Sequence, residues 1–173
     1  MSGAGVPSLA VNATGLRVAV IAGSWHTEIM EGLIAGAREA IAASGAEQSH
    51  FTVAGSFELP AAAQIALTPI AEGGGGFDAA VCLGVIIRGG TPHFEYVASA
   101  VTDGLTRVQL DTGRPVGFGV LTTDNEEQAL DRSGLPGSRE SKGVEAAEAA
   151  LHLAITMHAI SAGGLMHAEQ HGA

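Results

Sequence analysis

The stretch from Val81 to Tyr96, VCLGVIIRGGTPHFEY, constrains the fold more than any other in the chain. It begins as an unbroken apolar run. That is the pattern of a strand buried on both faces of a parallel sheet. Arg88-Gly89-Gly90 ends the run, and Thr91-Pro92 reads as a helix start. The threonine would be a hydroxyl N-cap. The proline would take the first helical position, where its missing N–H costs nothing. A glycine loop entering a helix leaves backbone N–H groups free at the positive end of the helix dipole, which suits an anion and above all a phosphate. His93 falls in the first turn. The dipole disfavours a second positive charge there, so a neutral imidazole able to take and return a proton is expected. A phosphate cradle and a candidate base thus stand within about one helical turn of each other. The competing reading, a plain tight turn beside a surface histidine, is not separated from this one by spacing alone.

The rest of the chain repeats the strand-then-helix pattern. Leu16 to Ala22 reads as a strand and Gly23-Ser24-Trp25-His26 as its exit loop. Thr27 to Ala43 reads as an amphipathic helix with Ile29, Leu33, Ile34, Ala37 and Ile41 on one face. Phe51 to Ala54 is a short second strand, Gly55-Ser56-Phe57-Glu58 its exit loop, and Leu59 to about Thr68 a helix. Gly73 to Gly76 precedes a strand rather than following one, so it reads as a flexible connection and not a phosphate loop. The third strand lies within Phe77 to Ile87, followed by a helix from Pro92 to about Leu110. Val116 to Leu121 is a fourth strand, Asn125 to Leu130 a short helix, and Ser141 to Ile160 a long alanine-rich helix. The inward positions of that last helix are Val144, Ala147, Leu151, Ala154 and Ile155.

Four such units imply one α/β domain over residues 1–173. It would be a three-layer α/β/α sandwich on a four-stranded parallel sheet, with an irregular arm over residues 1–15 and a frayed tail over residues 161–173. Ligands of such sheets bind outside the carboxyl ends of the strands. There Trp25 offers a flat ring, Ser56 and Glu58 offer hydrogen-bonding groups, and Gly90, Thr91 and His93 offer the anion site and base. Phe118, read as near the end of the fourth strand, offers a second aromatic, and the two rings suit a planar heterocycle between them. Core or interface packing is the alternative for both rings.

Charge narrows the partners. Eight Lys+Arg against eighteen Asp+Glu give a net charge of −10, with no basic stripe to meet a nucleic-acid backbone. An anionic substrate therefore needs local N–H groups and an arginine. A hydrophobic fraction of 46% suggests apolar surface buried against other subunits. No run approaches the roughly 20 residues of a membrane span, and no secretory signal is expected. The single Cys82 sits in the buried run and reads as a core thiol in a reducing, cytoplasmic setting. Dinucleotide and ATP phosphate loops are missing, and the seven histidines show no metal spacing. His152 and His158 fall on different sides of a helix, and His167 and His171 lie in the tail.

Four linked stretches carry a further signal. Gly84 to Glu95 (GVIIRGGTPHFE), Gly55 to Pro60 (GSFELP), Gly119 to Thr123 (GVLTT) and Glu126 to Arg132 (EEQALDR), with Ser141-Lys142-Gly143, resemble 6,7-dimethyl-8-ribityllumazine synthases in order and spacing from about Leu16 to Ile160. The resemblance implies a flavodoxin-like fold. It also implies condensation of 5-amino-6-(D-ribitylamino)uracil with 3,4-dihydroxy-2-butanone 4-phosphate, without a cofactor. Trp25 would lie against the pyrimidine, Ser56, Phe57 and Glu58 would line the pyrimidine and ribityl site, and Val85, Ile86 and Ile87 would follow the ring edge. Gly90 and Thr91 would hold phosphate, and His93 would carry protons. Phe118 and Arg132 would come from a neighbouring subunit, with Lys142 nearby. Gly90 departs from the family, whose members usually carry a side chain there, and Trp25 replaces a common phenylalanine.

The resemblance further implies a homopentamer with active sites between subunits, and riboflavin synthase as a further partner. The connection from Arg132 to Gly143 is slightly longer than in shell-forming relatives, so a free pentamer is expected. Two other readings fit the same motifs less well. One is a flavin- or lumazine-binding scaffold with little turnover, which the presence of both His93 and Arg132 disfavours. The other is a generic phosphate-sugar binding module, which the aromatic and Ser-Phe-Glu loops disfavour.

Overall fold

In a computed structural model, residues 9–163 are described. The expected arm therefore falls partly outside the described residues, as do most of the expected tail and His167 and His171. Strands and helices alternate as β1 (Arg17–Gly23), α1 (Thr27–Ala43), β2 (Glu47–Val53), α2 (Leu59–Leu67), β3 (Ala79–Ile87), α3 (His93–Thr112), β4 (Val116–Thr123), α4 (Glu126–Leu130) and α5 (Lys142–Ser161). All three strand pairings are parallel, in the order β2-β1-β3-β4. This is the α/β/α sandwich that the alternating pattern implies.

The sheet divides two apolar layers by the strict side-to-side alternation of its central strands. Val18, Val20 and Ala22 of β1, with Val81, Leu83 and Val85 of β3, face Ile29, Leu33 and Ile41 of α1 and Ala147 and Leu151 of α5. Ala19 and Ile21, with Ala80, Cys82 and Ile86, face Leu59 and Leu67 of α2 and Val101 and Leu105 of α3. Full burial of a side chain such as Leu83 or Leu105 stabilises the fold by about 1.5–3 kcal/mol. The continuous apolar run of β3 follows directly, because every residue but the last is buried. In α5 the centre of the interface falls to Ala146, Ala147 and Ala150, while Val144 and Ile155 are only half-buried.

Three boundary differences bear on the site. β2 starts at Glu47, not Phe51, and every residue of EQSHFTV is at least partly exposed. It is an edge strand, so it lacks the apolar signature that marks the central strands. β4 runs on to Thr123, pairing Thr122 and Thr123 with Ile86 and Ile87. Phe118 is therefore near the beginning of β4, opposite Cys82, and not at the carboxyl edge. Finally, α3 begins at His93. Pro92 (φ −64°, ψ −1°) occupies the cap position, and no side chain caps the helix. The Glu95 N–H bonds to the Pro92 carbonyl at 3.1 Å, a tight i to i+3 first turn. Thr91 thus leaves its hydroxyl uncommitted to capping.

The four consecutive glycines form an ordered turn rather than a loose connection. Their N–H groups donate to Ile70 (3.0 Å), Pro69 (3.0 Å), Ile65 (2.8 Å) and Thr68 (2.9 Å) carbonyls in turn. Gly73 and Gly76 take φ of 84° and 64°, and a Cβ on Gly74 would lie 2.1 Å from the Thr68 carbonyl oxygen. All four amides are spent on the end of α2 and the turn that follows it, so none is free for a phosphate, as the placement before a strand implied.

Candidate active site

The exits of β1, β2 and β3 meet at one cavity of about 410 Å³. Trp25, Ser56, Phe57, Glu58, Val85, Ile86, Ile87, Thr91 and His93 all line it, as the sequence reading grouped them. The geometry follows from how each loop is tied down. Ser24 binds β2, its N–H donating to Ala54 (3.3 Å) and its hydroxyl to the Val53 carbonyl (2.8 Å). The next residue, Trp25, is left 70% exposed with its ring at the cavity. Phe57 is 62% exposed, so two flat rings border the space within one chain.

The Ser56–Glu58 turn is fixed from within. The Glu58 carboxylate accepts from the Gly55 N–H at 2.8 Å, and the buried Ser56 hydroxyl donates to the Val85 carbonyl at 3.4 Å. Gly84 makes that seat possible. A Cβ there would stand 2.4 Å from Ser56 Oγ and 3.1 Å from Leu59 Cδ1. On the far side, Gly89 and Gly90 have no atom within 4 Å of a would-be Cβ, and neither takes a left-handed φ. The loop is open by lack of side chains, which lets a ligand approach its backbone closely. Thr91 and His93 line the cavity; Gly90 lies beside them in the chain without lining it.

Phe118, Arg132 and Lys142 are absent from this cavity. Phe118 is 44% exposed and lines a separate hollow with Thr102, Leu105, Thr106, Gln109 and Val116. A heterocycle held between Trp25 and Phe118 of one chain is therefore ruled out by the early position of Phe118 in β4. Arg132 donates to the Gln128 carbonyl at 2.8 Å, and its own carbonyl accepts from the Lys142 N–H at 3.0 Å, so the two basic residues are neighbours. Lys142 reaches Glu140 at 2.8 Å and Glu145 at 2.7 Å. Its partial burial opposes the charge, but hydrogen bonds to Glu140 and Glu145 outweigh that and raise its pKa.

Several lining residues carried no sequence signal. Phe94 and Val97 lie within the helix read from Pro92 and were not singled out as site residues, yet the first turns of α3 border the cavity. His26 also lines it, and it is the one non-glycine residue with positive φ (59°) among the described residues. Histidine is enriched in that region of φ/ψ space, but nothing in a sequence announces it. Arg88, read only as the residue that breaks the apolar run, pairs with Glu95 and with Asp124 (2.9 Å) and stacks over the Phe94 ring at 4.2 Å. Among the described residues no cluster of side chains suits a metal ion, and no helix is long and apolar enough to cross a membrane.

A parallel sheet flanked by helices, with a ring-bordered cavity at the carboxyl ends of three strands, defines a small-molecule α/β protein of the open-sheet kind. Comparison with known proteins narrows this. The profile of the 6,7-dimethyl-8-ribityllumazine synthase family matches residues 15–158. The 6,7-dimethyl-8-ribityllumazine synthase of Leifsonia xyli is 60% identical over 162 residues, covering 92% of this chain and 99% of its own. Those of Clavibacter michiganensis (54%, 92% and 98%) and Kineococcus radiotolerans (55%, 93% and 97%) are similarly close. The chain belongs to the 6,7-dimethyl-8-ribityllumazine synthase family.

Proposed function

We propose that this chain is an active lumazine synthase of riboflavin biosynthesis, a transferase that forms 6,7-dimethyl-8-ribityllumazine from 5-amino-6-(D-ribitylamino)uracil and 3,4-dihydroxy-2-butanone 4-phosphate. One observation carries the reading beyond family membership. The residues expected to hold the pyrimidine, the ribityl chain and the proton carrier come from three separate exit loops and line a single cavity.

In this reading the pyrimidine lies against Trp25, and the Ser56–Glu58 turn and the edge of β3 hold the ring and ribityl chain. The ring amine attacks the ketone carbon, and loss of water leaves a Schiff base. His93 moves the protons that this condensation and the later elimination require. Phosphate departs as its charge is met by the amides around Gly90, the Thr91 hydroxyl and Arg132. Ring closure expels a second water. Holding both reactants in one cavity supplies much of the acceleration.

The site is completed by a second copy. Among the described residues neither an arginine nor a lysine lines the cavity, yet phosphate calls for one, and Phe118 and Arg132 lie on other surfaces of the same chain. A ring of five subunits, each lending these residues to its neighbour, satisfies both facts. Lys142 joins Arg132 at that junction. We further propose a free cytoplasmic pentamer that hands its product to riboflavin synthase. Native mass spectrometry reads the assembly, and a 60-subunit particle would refute it.

The activity test mixes both substrates with the protein and follows lumazine absorbance and fluorescence. A rate well above the spontaneous one is expected. A rate equal to that background would leave only a lumazine- or flavin-binding role.

A further inference from the structure

We propose that Arg88 is a positioning residue for the phosphate substrate, which it serves by neutralising Glu95 and Asp124 beside the Gly89–Thr91 turn. The proposal rests on the reading that phosphate binds at that turn. Arg88 stands at the junction of three elements. Its N–H continues the ladder between β3 and β4, donating to the Thr123 carbonyl at 2.9 Å. Its Nε donates to Asp124 Oδ1 at 2.9 Å at the exit of β4. Its Nη1 pairs with Glu95 in the first turn of α3, and its guanidinium carbon lies over the Phe94 ring, 4.2 Å from the ring centre.

The electrostatic consequence is local. The hydrogen bond from Arg88 holds the Glu95 carboxyl below its usual range, so it stays ionised. Hydrogen bonds to Asp124 and then Glu95 hold the guanidinium charged in turn. Glu95 occupies the first turn of α3, where its charge favours the helix dipole but competes with any anion bound at the same end. Unpaired, it and Asp124 would place two negative charges next to a site that must admit a phosphate, in a chain already at −10. One guanidinium answers both. Arg88 is not itself the phosphate ligand in this scheme. Nε and Nη1 are committed to carboxylates, and one face is committed to Phe94, which lines the cavity next to His93.

The test uses the full-length assembled protein, with inorganic phosphate as competitive inhibitor and KM measured for each substrate. Arg88→Gln is expected to weaken inorganic phosphate and raise the KM of the phosphate substrate about five- to tenfold, the effect of one close unit charge in a solvated site. The pyrimidine KM should change less than about twofold, and the phosphate effect should shrink as salt is raised. Adding Glu95→Gln and Asp124→Asn should restore most of the loss, because nothing is then left to neutralise. Glu95→Gln alone should tighten inorganic phosphate. Equal rises in both KM values, no rescue in the triple variant, or weaker phosphate binding by Glu95→Gln would each overturn the proposal. Thr91→Ala separates the two layers of the argument. If it weakens phosphate and Arg88→Gln does not, the role of Arg88 is wrong. If neither does, the phosphate reading of the turn is wrong.

Discussion

Gly84→Ala tests how tightly the site loop is seated on the sheet. The added methyl would lie 2.4 Å from Ser56 Oγ, 3.1 Å from Leu59 Cδ1 and 3.2 Å from Ser56 Cβ. Comfortable contact needs about 3.5–4.0 Å. The serine must therefore retreat by roughly an ångström, and it cannot do so alone, because Glu58 locks the turn through the Gly55 N–H. Overpacking of this kind costs about 1–3 kcal/mol. Replacing glycine inside a strand returns roughly 0.5–1 kcal/mol, so the net loss centres on about 1.25 kcal/mol. For a domain of this size that lowers Tm by roughly 3–5 °C. Circular dichroism on heating measures it, and steady-state assays should show the pyrimidine KM rising more than that of the phosphate substrate, since only the Ser56–Glu58 side moves. Ser56→Ala removes the closest atom. In the Gly84→Ala background it should recover at least about 0.5 kcal/mol relative to its effect in the parent, a coupling typical of touching residues. A Gly84→Ala protein as stable as its parent, or a double variant with no recovery, would refute the steric argument.

Other outcomes follow from the same geometry. Mixing a His93→Ala protein with an Arg132→Ala protein, each far less active than the parent at limiting phosphate substrate, after dissociation and reassembly, should restore about a quarter of parental activity if each site joins two subunits; no recovery would place both residues in one chain's site. Arg132→Ala by itself should raise the KM of the phosphate substrate more than that of the pyrimidine. Since His26 holds φ of 59°, His26→Asn should leave stability nearly unchanged while the β-branched His26→Val costs about 1–3 kcal/mol in urea unfolding; equal stability of the two would remove the backbone argument. Burial pushes the Cys82 thiol up to about 12. Its protonated form is thus favoured by folding. That contribution is complete below the ordinary thiol value of about 8.5 and is lost as pH rises towards 12. The stability difference between the parent and Cys82→Ala should accordingly narrow across that window, and a constant difference would count against it.

Central elements were legible in the sequence because burial on both faces writes an unmistakable apolar run, as in β3, and because an amphipathic stripe of full length marks α1, whose bounds agree with the pattern. Edge elements were not. β2 spends its first residues on exposed polar side chains, and the last residues of β4 are threonines that read equally well as a loop. The same error displaced Phe118, because an underestimated strand puts its early residues at its end. The cavity-lining residues at strand exits were readable, since the rule linking ligands to carboxyl ends needs only the strand assignments. Arg88 was not, because its partner Asp124 is 36 positions away and only the pairing of β3 with β4 brings the two together. His26 was hidden for a different reason: backbone handedness at a single residue leaves no trace in composition or period.

The order in which the chain is made gives the cavity a history. Every described residue lining it lies between Trp25 and Val97, so a nascent chain holds these walls well before β4, α4 and α5 have emerged. Those walls remain scattered until β3 docks against β1, across a gap of more than fifty positions, so that they come together only with slow, long-range closure. Among the described residues, those synthesised after Val97 add no wall to that chain's own chamber. Their contribution is to flank β3 on the open side and, in the ring proposed above, to furnish the chamber next door.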